Sequence, residues 1–145
     1  MKTRHTSVIR SGWLFLATLI FIVGAMPGHA QKAKLDFMLA AAIWKKVQVK
    51  EAYLDKTIRG KKMKVVHEAA FAVRDQVKLL SAKSKSLSPD SHAKLDKGVK
   101  TVSDLAAQLD EAGDLGKQAE AEALGKKMHI VLDAIAALYP AGALK

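Results

Sequence analysis

The chain has no cysteine at all. That removes disulfide bridging, thiolate metal sites, cysteine nucleophiles and covalent haem attachment through C-x-x-C-H, so packing alone must hold the fold. Proline occurs only at 27, 89 and 140, and aromatic residues make up 6% of the sequence. The long stretches between these prolines are therefore open to uninterrupted helix. No run shows the period-two alternation of a strand. Missing too are H-E-x-x-H, G-x-S-x-G and any glycine-rich phosphate loop, and the serines cluster between Ser81 and Ser91, where a nucleophile would lack a rigid setting. These absences argue against hydrolytic or transfer chemistry and for a chain that is not an enzyme.

The first thirty residues carry the clearest positive signal. Lys2, Arg4 and Arg10 precede an apolar run over 13–26, and Pro27, Gly28, His29 and Ala30 close it with small residues at the last and third-from-last positions. This layout predicts a signal peptide over 1–30, cleaved after Ala30, and a periplasmic domain over 31–145. The apolar run is shorter than the roughly 20 residues a spanning helix needs, so no stable membrane anchor is expected. Three of the 24 Lys and Arg and none of the 14 Asp and Glu lie in the leader, leaving 21 basic against 14 acidic side chains.

Four apolar seams run through that remaining domain. Ala40, Ile43, Val47, Leu54 and Ile58 mark the first; Met63, Val66, Ala70, Val73, Val77 and Leu80 the second. Leu95, Val99, Val102, Ala106 and Leu109 mark the third; Ala121, Leu124, Met128, Val131, Ile135 and Leu138 the fourth. Spacings of three and four bury one stripe per helix, so the expectation is all-α: an antiparallel up-down-up-down four-helix bundle with helices at 35–58, 61–82, 89–111 and 115–139. Ser88 is the expected N-cap of the third helix with Pro89 in its first position. Gly113 is the expected left-handed cap after it, and Asp114 the N-cap of the fourth. Gly60 is a weak breaker; were it inside one long helix, a three-element dimerising protein would result.

Charge is polarised along the chain. Eight basic residues stand between 45 and 64, and six acids between 104 and 122. In an up-down bundle the first and third turns share an end, which brings Arg59, Lys61 and Lys62 beside Asp110, Glu111 and Asp114. Two readings follow: the charges offset one another within the fold, or the basic turn is a docking surface for an acidic partner or the anionic envelope. Nucleic acid is not an expected partner, because the cations are mostly lysine, spread over several helices without interleaved aromatics. An envelope protein is the expected partner, with a second copy of the chain as another arrangement.

Residues able to hold a ligand are few. Met63 and His67, one helical turn apart, offer the thioether and imidazole that suit copper. His67 is equally a flank of the second seam beside Phe71, and no cofactor is the simpler expectation. Arg74 is placed to cover apolar surface and reach Asp133 on the fourth helix. Trp44 and Tyr53 read as core or boundary residues, and Lys117 and Gln118 as solvated.

With an exported address and Met38 and His129 on its first and last helices, the chain resembles the cytochrome b562 and cytochrome c-prime class of periplasmic bundles at the level of architecture. The resemblance implies a noncovalent haem held by Met38 and His129; the c-prime attachment motif is absent. The strings Val66-His67-Glu68, Arg74-Asp75 and Ala137-Leu138-Tyr139-Pro140 are similar to those of small exported bacterial helical proteins. The expected function is accordingly a binding bundle that engages an envelope partner, with a copper or haem carrier as the alternative.

Overall fold

The computed structural model describes residues 27–145, so all but the last four residues of the signal peptide expected over 1–30 lie outside the described residues. Within them the chain is helical with no strand: α1 (Pro27–Arg59), a short 3-10 turn (Met63–Val65), α2 (Val66–Lys83), α3 (Pro89–Asp114) and α4 (Gln118–Ala136). Each helix packs on its chain neighbour, and α1 and α4 close the ring more sparsely than the other pairs. This is the four-helix bundle that the seams predict.

Eighteen of the seam residues named above are buried together in one core. The other four, Met63, Val99, Val131 and Leu138, pack half-exposed against that core. Leu105, Ala112 and Leu132 join it from beside the predicted stripes.

The ends of the helices are where structure and expectation part. Helix α1 is already formed at Pro27, the first described residue and well before 35; Ala30, Gln31, Lys32, Ala33 and Lys34 are good helix formers, all but Ala33 exposed, and so leave no seam to read. The bond expected to be cleaved, between Ala30 and Gln31, lies between two exposed residues of α1. Helix α3 runs on to Asp114. Gly113 is therefore a buried helical residue and not a cap. The left-handed residue is Gly116 (φ 64°), with Lys117 N–H bonded to Ala112 O and Gly116 N–H to Gly113 O. Asp114 does not cap α4; Lys117 occupies that position without a side-chain bond. At the other junction the expectation holds: Ser88 accepts from the Ser91 N–H at 3.2 Å, with Pro89 in the first turn.

Gly60 does end α1, but the left-handed conformation falls one residue later, on Lys61 (φ 54°). Lys62 N–H bonds to Thr57 O and Lys61 N–H to Ile58 O, the paired closure of a helix C-terminus. A lysine in that conformation costs about 1–2 kcal/mol that a glycine would avoid.

Candidate functional site

The turn over residues 60–62 is pressed against the α3–α4 turn by two contacts. Gly113 lies so close to the 3-10 turn that an added Cβ would sit 2.9 Å from Met63 O and 3.3 Å from Val66 Cβ. Gln118 donates from Nε2 to Ile58 O at 2.7 Å, a second bond to a carbonyl at the end of α1 that already accepts from Lys61 N–H. Gln118 is thus a tether between the two turns, not the solvated residue that its position in a first helical turn implies.

The basic turn and the acidic helix end do meet, but their charges do not pair. Among the described residues, no ion pair joins Lys61 or Lys62 to Asp110, Glu111 or Asp114. Arg59 binds Asp55 one turn back (3.0 Å), Lys117 binds Glu120 (3.2 Å), and Asp110 faces His67 Nδ1 at 3.2 Å. Lys61, Lys62 and Lys64 are all exposed. The fold brings these cations to one end without spending them on its own carboxylates.

A second feature lies along the sparse α1–α4 seam. A groove of about 820 Å³ is floored by Leu54, Ile58 and Met128 and rimmed by Glu51, Asp55, Glu122 and His129. Gly125 helps open it, since a Cβ there would lie 3.1 Å from Ile58 Cδ1. His129 Nδ1 donates to Glu51 Oε1 at 2.7 Å, which clasps α4 to α1, and its Nε2 is 3.5 Å from Asp133. The hydrogen bond and charge of Glu51, with Asp133 and Asp55 behind it, hold the His129 pKa above the usual 6.5. A raised pKa in the fold means that the clasp stabilises fully below about pH 6.5 and loses its contribution as pH rises through the folded value. His129→Gln should therefore lower the melting temperature at about pH 5.5 and leave it unchanged at about pH 8.5, as followed by circular dichroism. An equal loss at both values would show a packing role instead.

The other candidate ligands are dispersed. Met63 is in the 3-10 turn, half-buried against the core, and His67 opens α2 with its ring edge on Phe71 (centroids 5.4 Å apart) and Asp110 at its Nδ1. Among the described residues no three His, Asp or Glu side chains are grouped to hold a metal ion. Met38 is 61% exposed on α1, while His129 stands level with Glu51, about 20 Å further along that helix at 1.5 Å per residue. One iron could not take both, so the Met38 and His129 pair does not form a haem site. Arg74 does not reach Asp133: it pairs with Asp75 at 2.8 Å and lies 4.2 Å over the Phe71 ring, because α2 and α4 are diagonal in the bundle.

Compared with protein-family models, curated proteins and solved structures, the chain matches none. Three contacts were not foreseeable from the seams: the His129–Glu51 clasp, the Gln118 tether, and a buried pair between Ser84 and Tyr139. Only Gln118 left a trace in sequence, through Glu122 one turn on, to which it also donates at 2.7 Å.

Proposed function

We propose that this protein is a non-catalytic exported helical bundle that engages an acidic envelope protein through the cationic end formed by Arg59, Lys61 and Lys62. The observation that carries this reading is the absence, among the described residues, of any carboxylate partner for Lys61 and Lys62, although three acids stand at the same end. Had the charges served only to hold the turns together, Asp110, Glu111 or Asp114 would be within 4 Å of them. Exposed lysines at one rigid end steer an anionic partner and give binding that weakens with salt.

The test is capture from a periplasmic extract by the immobilised chain beginning at Gln31. An acidic protein should be retained at low salt and released as salt rises. Lys61→Glu with Lys62→Glu should reduce its retention on the order of tenfold, through lost steering and lost rim pairs. Undiminished retention by the double variant would defeat the proposal.

A further inference from the structure

No other helix covers the outward face of α1, which the tail over 141–145 borders at Met38, Ala42 and Lys45, and its composition is one-sided. At 3.6 residues per turn, a sector of about 140° facing away from the core collects Leu35, Met38, Leu39, Val49 and Tyr53. These residues are between 45% and 66% exposed. They account for five of the eight large apolar side chains that the described residues leave exposed. Interleaved with them stand Lys45, Lys46, Lys50 and Lys56, all exposed. No carboxylate shares the sector. The three acids of α1 lie outside it: Asp36 accepts from Ser86 Oγ at 2.6 Å, Glu51 from His129 at 2.7 Å, and the exposed Asp55 pairs with Arg59 of its own helix at 3.0 Å.

We infer that this face of α1 docks the protein on an anionic lipid bilayer, lying along the surface with its apolar residues at the boundary of the acyl chains. Charge selects the partner, since lysines alone flank the stripe. The choice of a bilayer over an acidic protein helix rests on Lys46. The residues Leu35, Leu39, Ala42, Lys46, Val49 and Tyr53 follow a three-four spacing, so a packed partner helix would bury the Lys46 ammonium in the middle of its seam. At a bilayer the same side chain extends its four-carbon stem along the apolar stripe and places its charge among the headgroup phosphates. The stripe spans about 27 Å of straight helix, a length suited to in-plane binding. No described helix is long and apolar enough to cross a membrane, and in-plane docking requires none. The surface is separate from the Lys61–Lys62 end, and the inference does not depend on the partner proposed there.

Vesicle co-sedimentation tests it, with the chain beginning at Gln31; every buried core residue lies between Ala40 and Tyr139, so that chain keeps its whole core. Partitioning onto phosphatidylglycerol-containing vesicles should exceed that onto pure phosphatidylcholine vesicles by about tenfold or more at low salt. Lys45→Glu/Lys46→Glu/Lys50→Glu should abolish the difference, and Val49→Ser/Tyr53→Ser should reduce binding several-fold. The same charge change on α3, Lys94→Glu/Lys97→Glu/Lys100→Glu, should leave most of it. Melting by circular dichroism verifies that each variant is folded. Equal partitioning onto both vesicles, or undiminished binding by the Val49/Tyr53 variant, would overturn the inference. So would absence of vesicle binding together with self-association or binding of an acidic amphipathic peptide that shields Tyr53.

Discussion

Gly113→Val will lower the free energy of unfolding by about 3 kcal/mol, measured by urea denaturation at neutral pH. Helix propensity alone points the other way, since glycine in a helix interior is worse than most residues by up to about 1 kcal/mol. Packing decides the sign. The first added carbon would sit 2.9 Å from Met63 O, a backbone atom, and 3.3 Å from Val66 Cβ. Neither can rotate away, so relief requires the 3-10 turn and the start of α2 to move off α3, opening the end of the core at Val66 and Ala112. Gly125→Ala is the matching control: its Cβ would meet only the Cδ1 tip of Ile58, at 3.1 Å, which can shift, so its effect should stay within about 1 kcal/mol. Equal effects at the two glycines would mean that α3 and the first turn are not in the contact described.

Ser84→Ala should cost about 2–3 kcal/mol, more than Tyr139→Phe, although both break the same hydrogen bond. Ser84 is 2% exposed and Tyr139 7%, at the opposite end of the bundle from Gly113. Ser84 Oγ donates to Leu80 O at 2.7 Å, capping a carbonyl at the end of α2 that the helix leaves unpaired, because the Ser84 N–H turns to Ser81 O instead. With that proton committed, the Tyr139 O–H donates to Ser84 Oγ. Removing the serine hydroxyl strands a buried carbonyl and a buried phenol together. Removing the phenol strands nothing, since Ser84 keeps its bond to Leu80 O, and the loss should be near 1 kcal/mol. Burial pushes the Tyr139 pKa above the usual 10, partly offset by Ser84. A larger loss for Tyr139→Phe would reverse this assignment of donors.

The bundle itself was legible because burial repeats. Val66, Val73, Val77 and Leu80 recur on one stripe and all lie in the core, and any helix of that length must cover such a stripe. What did not repeat could not be read. Gly113 and Gly116 are three residues apart and both plausible caps; the choice depends on Met63 approaching Gly113, a contact between elements far apart in sequence. Likewise, topology placed Arg59, Lys61 and Lys62 beside Asp110, Glu111 and Asp114, but adjacency of turns does not fix side-chain pairing at 4 Å. His67 and Lys117 took partners that the charge count could not distinguish from the lysines. The outward stripe of α1 was hidden for a related reason: a search for core seams stops at Ala40 and Val47 and passes over a second three-four spacing on the opposite side of the helix.

Thermal melting of Lys61→Glu/Lys62→Glu beside the native chain, at low and at high salt, asks most directly whether the fold holds its cationic end for something outside itself. Both lysines are exposed and without an ion pair among the described residues. The account predicts melting temperatures that agree within about 2 °C at either salt concentration, as for exposed surface substitutions generally. A drop of several degrees at low salt, erased when salt is added, would contradict it, because Asp110, Glu111 and Asp114 would then be the partners of that end.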